Sequence, residues 1–201
     1  MSITFRDKSS STNTFTRTLP IEVLERRQNQ TGTQASAMAI KEATRAPISI
    51  VQAATGVQVG APAPQFTSLL TTGEVVKLNQ YKGKKVVLYF YPKDDTPGCT
   101  IEACGLRDQY QKIRDLGAEI LGVSTDDVAS HQRFTQKFNL PFQLVADSNK
   151  SITKAYGVLN EKSNMARRVT FIIDEKGVVE RVFDPVKADQ HTQQVIDALS
   201  H

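Results

Sequence analysis

The sequence predicts an α/β fold: a mixed sheet with a parallel core, flanked by helices, with antiparallel strands at its edges. Three observations predict it. Short runs rich in β-branched and aromatic residues alternate with stretches whose apolar residues recur every three or four positions. Two pairs of runs are joined by Gly-containing turns, the signature of hairpins. The order of elements reads hairpin, then βαβαβ, then ββα, and strand-helix-strand units imply parallel neighbours.

Each element has a local reason. Phe66 to Leu70 and Val75 to Leu78 flank Thr71-Thr72-Gly73-Glu74 and form the N-terminal hairpin. Lys84 to Tyr91 is a strand that Pro92 ends, because proline has no N–H to give to a ladder. Pro97 to Leu116 reads as one helix, with Leu106, Tyr110 and Ile113 on one face. Ala118 to Ser124 is a buried strand, and Asp126 or Asp127 caps a helix through Phe138 that Leu140-Pro141 closes. Phe142 to Ala146 is a strand, followed by a short helix from Ser151 to Tyr156 that Gly157 stops. Arg168 to Ile173 and Val178 to Phe183 pair around Asp174-Glu175-Lys176-Gly177, and a last helix covers Asp189 to Leu199.

Residues 1–58 read differently from this 59–201 body. Nine of the first eighteen residues are Ser or Thr, and no aromatic occurs between Phe15 and Phe66. A segment with so little to bury is expected to be a flexible extension. It has no apolar h-region, which argues against a secretory signal. A hydroxyl-rich, Arg-containing end can serve as an organellar transit peptide, although Glu22, Glu25 and Glu42 count against it, and Met38 offers an alternative start. The cytoplasm is the expected compartment, with an organelle as the alternative.

Composition excludes several functions. The formal charge of +4 is concentrated before residue 61, where seven Lys/Arg face four Asp/Glu; the remainder carries eighteen against seventeen. A nearly neutral body is a poor nucleic-acid partner. No apolar run approaches the ~20 residues a spanning helix needs, so no membrane role is expected. Two cysteines cannot form a disulfide scaffold. They are too few for a four-ligand zinc site unless two of His131, His191 and His201 join them, and those lie at no ligand spacing. A reactive pair or two inert thiols remain.

The informative segment runs from Tyr91-Pro92-Lys93-Asp94-Asp95-Thr96 through Pro97-Gly98-Cys99 to Cys104. Proline favours the first helical position, which makes Thr96 the N-cap and Cys99 the third helical residue. Free backbone N–H groups and the positive helix end there favour the thiolate, the nucleophilic form, and the Thr96 hydroxyl is expected beside it. Cys104 lies five residues on. Helix geometry separates the two Cα atoms by ~8.6 Å, beyond the ~7 Å limit for a disulfide. Either the two never pair, or the helix unwinds when they do.

This segment resembles the active site of the peroxiredoxins, Pro-x-x-x-Thr-x-x-Cys, here Pro92, Thr96 and Cys99. A second cysteine five positions later resembles the peroxiredoxin Q group, also called bacterioferritin comigratory proteins, which are atypical two-cysteine enzymes. Tyr89-Phe90-Tyr91-Pro92-Lys93-Asp94 and Gly105-Leu106-Arg107-Asp108 carry the likeness further, but it does not reach residues 1–58. The resemblance implies a thioredoxin-like fold and a thiol-dependent peroxidase acting on hydrogen peroxide and organic hydroperoxides. Cys99 is then peroxidatic and Cys104 resolving, the two closing an intramolecular disulfide that thioredoxin reduces. Thr96 and Arg168 are implied to stabilise the reacting oxygen. Arg168 is preferred over Arg167 for its spacing to Phe171 and Asp174. Glu102 is implied to support the site, or, as an exposed first-turn residue, to be a plain partner of the helix dipole. No metal, flavin or haem cofactor is implied, and with both cysteines in one chain a monomer suffices. Two alternatives stand beside it. A thiol-disulfide oxidoreductase usually carries Cys-x-x-Cys, whereas a redox sensor without turnover shares the same thiol chemistry. A glutathione peroxidase is excluded, since its site includes a tryptophan and this chain has none.

Overall fold

The computed structural model describes residues 56–201, and the expectation for residues 1–55 lies outside them. Among the described residues there are nine strands: β1 (Thr67–Leu70), β2 (Val75–Lys77), β3 (Lys85–Phe90), β4 (Ala118–Ser124), β5 (Gln143–Ala146), β6 (Leu159–Asn160), β7 (Met165–Ala166), β8 (Val169–Ile173) and β9 (Val179–Phe183). The α-helices are α1 (Pro97–Asp108), α2 (Tyr110–Asp115), α3 (Val128–Phe138), α4 (Ser151–Ala155) and α5 (His191–Leu199). Seven strands form one sheet in the order β2-β1-β5-β4-β3-β8-β9, with β6 and β7 making a separate ribbon. β3, β4 and β5 run parallel, while the two hairpins add antiparallel strands at opposite edges. Val57 is buried in the core, so packing begins slightly before residue 59.

The period-2 alternation of β3 divides the interior in two. Val86, Leu88 and Phe90 join Val123, Phe171, Ile152 and Tyr156 on one face. Val87, Tyr89 and Tyr91 join Ile120, Leu144 and Ile172 on the other, against Cys99, Ala103 and Leu106 of α1 and Val195, Ile196 and Leu199 of α5. Cys99 therefore belongs to the second core. Gly122 on β4 makes that packing possible: a Cβ there would lie 2.7 Å from the Tyr89 hydroxyl and from Leu144 Cδ2.

The structure departs from the expected elements at three places, the first a 3-10 turn over Leu78–Tyr81 where Leu78 was expected to end a strand. The expected single helix from Pro97 to Leu116 is broken at Gln109, which has φ −109° and ψ 11°. Leu106 and Ile113 stay buried in the same core on both sides of the break, so the apolar period continues through it. The β6-β7 ribbon was not expected, because two-residue strands carry no periodicity to read.

Candidate active site

The end of β3, the loop 91–96 and the first turn of α1 build the site. Tyr91 donates its backbone N–H to Val123 O at 3.1 Å, continuing the sheet into the loop. Asp94 then turns inward and is almost fully buried. Its Oδ1 accepts from the Tyr91 hydroxyl at 2.7 Å, and its Oδ2 lies 2.9 Å from His131 Nδ1 on α3. Its N–H donates to Asp126 Oδ2 at 2.9 Å. Burial pushes the Asp94 carboxyl upward, but the hydrogen bond and charge of His131, with the Tyr91 hydrogen bond, outweigh it and hold the group below the ordinary 3.8. The next residue, Asp95, takes a positive φ of 54° and pairs with Lys137 at 2.7 Å. The loop is thus clamped to α3 and β4 before the helix begins.

Thr96 is the N-cap in extended conformation, φ −96° and ψ 151°, and Pro97 is the first helical residue. The Thr96 hydroxyl makes no side-chain cap; it donates to Lys93 O at 3.1 Å, across the loop that Pro92 opens. Cys99 is the third helical residue and only 1% exposed. A sulfur so placed can react only with a molecule small enough to reach it, or after the helix opens.

Arg168 reaches this sulfur from the residue preceding β8. Its Nη2 donates to Cys99 Sγ at 3.3 Å, and its Nη1 donates to Glu102 Oε2. Burial opposes the Arg168 charge, but Glu102 and Cys99 outweigh it and push its pKa upward. The guanidinium is therefore a fixed cation beside the Cys99 sulfur, and its contacts are of the charge-assisted kind. Gly98 leaves room for it, since a Cβ at that position would stand 3.2 Å from Nη2. Arg167 points elsewhere, binding Asp184 at 2.9 Å and Gly157 O at 3.2 Å.

Glu102 requires a correction. Rather than an exposed first-turn residue, it is fully buried on the second turn of α1, between Arg168 and His191. The dipole-partner reading fails for that reason: a buried carboxylate needs donors of its own. Cys104 is half-buried, and both cysteines are free. They lie on one unbroken helix, so they are too far apart to bond as α1 stands.

Four residues that sequence reasoning missed complete the surroundings: Asp94, His131, His191 and Thr170. All are buried. His131 Nε2 lies 3.2 Å from Val145 O, and His191 Nε2 lies 2.8 Å from Thr170 Oγ1. The Asp94 carboxyl next to a helix start was the only signal available in the motif itself.

The chain matches the AhpC/TSA family model over residues 59–182. It is 40% identical over 149 residues to peroxiredoxin Bcp of Bacillus subtilis, spanning 71% of this chain and 95% of that one. It is 43% identical over 148 residues to the chloroplastic peroxiredoxin Q of Triticum aestivum, spanning 71% of this chain and 68% of the relative. Among solved structures, peroxiredoxin Q of Xanthomonas campestris is similar with a TM-score of 0.67 and 33% identity, over 73% of this chain and 97% of that one.

Proposed function

The chain belongs to the AhpC/TSA family, the peroxiredoxins, and on that premise we propose that Cys99 is its peroxidatic and Cys104 its resolving cysteine. The enzyme is a thiol-dependent peroxidase. The observation that carries the assignment is the Arg168 Nη2 bond to Cys99 Sγ at 3.3 Å, on a helix that bears the second free thiol five residues on. The Cys99 thiolate attacks the terminal oxygen of the peroxide and the O–O bond breaks. The leaving oxygen takes a proton and departs as water or alcohol, and Cys99 becomes a sulfenic acid. Arg168 and the free N–H groups of the first turn stabilise charge as it moves onto oxygen. Thr96 joins them once its hydroxyl turns from Lys93 O toward the bound peroxide.

Cys104 then attacks the sulfenic sulfur, releasing water and forming the Cys99-Cys104 disulfide. An external dithiol of the thioredoxin type reduces it by exchange. Pro92 sets the loop that carries Thr96, and Glu102 holds Arg168. Both cysteines lie in one chain, so a monomer completes the cycle. The reading needs no nucleic acid, membrane or cofactor. The cytoplasm remains the proposed compartment and an organelle the alternative; imaging the full chain with a C-terminal fluorescent fusion decides between them.

The test is peroxide consumption coupled to thioredoxin, its reductase and NADPH. Sustained turnover with hydrogen peroxide and an organic hydroperoxide, lost in Cys99→Ser, is expected. A single oxidation with no further consumption would make the protein a redox sensor instead.

A further inference from the structure

Glu102 has no exposed surface, and each carboxylate oxygen meets a different partner. Oε2 accepts from Arg168 Nη1, while Oε1 faces His191 Nδ1 at 2.9 Å. The 2.9 Å approach lacks the alignment of a hydrogen bond, and among the described residues neither of the latter two atoms has a hydrogen-bond partner. His191 opens α5 and is also fully buried, with Nε2 2.8 Å from Thr170 Oγ1 on β8. An ionised carboxylate only accepts, so the arrangement that avoids two acceptors face to face puts hydrogen on Nδ1. The Thr170 hydroxyl fits this by donating to Nε2. Leaving such buried groups unpaired is costly, so each contact constrains the next.

We propose that His191 is a positioning residue for the peroxide step. It fixes the Glu102 carboxylate, which holds Arg168 Nη1 so that Nη2 is aimed at Cys99 Sγ. The chain of contacts runs Thr170, His191, Glu102, Arg168, Cys99, and the proposal rests on Cys99 being the peroxidatic residue. The groups facing His191 are Glu102 from α1, Thr170 from β8 and the Tyr89 ring from β3, whose centroid is 6.1 Å away.

A second consequence follows from where Glu102 sits. It lies between the two cysteines on α1, so opening the helix to join them pulls Glu102 off His191 and leaves Nδ1 unpaired in the interior. Beside this clasp, α1 and α5 are in close contact: a Cβ on Gly105 would lie 2.6 Å from Thr192 Oγ1. His191 therefore assists oxidation of Cys99 and resists closure of the disulfide.

The test uses a Cys104→Ser parent, which stops at the first step, with Cys99 oxidation by hydrogen peroxide followed by rapid quench and intact mass. Loss of one charge-assisted contact predicts that His191→Leu slows oxidation roughly ten- to a hundredfold. His191→Asn, whose amide nitrogen can take the place of Nδ1, restores most of the rate, and Thr170→Val falls between. In a Glu102→Gln background His191→Leu changes the rate less than about twofold, because its effect passes through Glu102. With Cys104 restored, disulfide closure is severalfold faster in His191→Leu than in the unmodified protein. If His191→Leu does not fold, His191→Asn and Thr170→Val carry the same comparison. Parental rates in these variants, or equal slowing with and without Glu102, overturn the proposal. A parent that forms no sulfenic acid at Cys99 overturns the functional reading itself, which separates the two failures.

Discussion

Disulfide formation should unwind α1, and the size of that effect can be worked from the structure. The helix starts with Thr100 N–H donating to Thr96 O at 2.8 Å and continues unbroken to Asp108. Bringing Cys99 and Cys104 within ~7 Å from a helical separation of ~8.6 Å means releasing the turn that contains both. About five backbone bonds are lost, each with a net contribution of about 1 kcal/mol, so opening costs about 5 kcal/mol before Glu102 leaves its partners. At ~1.4 kcal/mol per factor of ten, amides of residues 100–104 should exchange roughly four-thousandfold faster in the oxidised protein than in the reduced one. The same ~5 kcal/mol opposes the disulfide and raises its potential by about 100 mV above that of an unopposed bond, which makes it readily reducible by a dithiol. Hydrogen exchange read by mass spectrometry, with the disulfide confirmed by intact mass, is the assay. Amides of β3, β4 and β8 serve as the internal control. Identical exchange over residues 98–108 in both redox states would refute the reasoning.

Other consequences are equally open to measurement. Arg168→Ala should slow Cys99 oxidation a hundredfold or more, since removing an oxyanion-type donor costs about 3 to 4 kcal/mol. Arg167→Ala should leave that rate within about twofold while lowering stability, because it strips the nearly buried Asp184 carboxylate of its partner. Rapid-mixing kinetics with a sulfenic-acid trap compares the two, and the opposite ranking would reassign the arginine. The Asp94 carboxyl, held below 3.8 in the fold, contributes stability that is complete above about pH 4 and is lost as pH falls through its folded value. Urea unfolding between pH 2 and 7 should therefore show a shallower acid limb in Asp94→Asn than in the unmodified protein, and equal slopes would count against it. Gly122→Ala should cost about 1 to 3 kcal/mol, because its methyl meets Tyr89 and Leu144 at 2.7 Å. An unchanged midpoint in thermal unfolding would contradict that.

Much of the fold was legible because its signals are local. Gly73 and Gly177 both take φ above 80°, and both hairpins sit where those turns were expected. Thr96-Pro97 starts α1, and Asp127 caps α3 by accepting from Ser130 N–H at 2.7 Å. What escaped is long-range. Arg168 and Glu102 meet across 66 residues, and His131 meets Asp94 across 37. No periodicity announces such pairs, and ionisable residues are seldom wholly buried, so an exposed Glu102 stood beside the supporting role as an alternative. The break at Gln109 escaped for a different reason: no Gly or Pro marks it, and the buried face is the same on both sides.

The most direct measurement is the intact mass of Cys104→Ser after one equivalent of hydrogen peroxide, with a sulfenic-acid trap present and the adduct located by fragmentation. The account predicts one adduct, on Cys99. The unmodified protein, treated alike, should carry no adduct and instead lose two mass units on forming the Cys99-Cys104 bond. An adduct on Cys104 in Cys99→Ser, with none on Cys99 in Cys104→Ser, would contradict it and reverse the two roles.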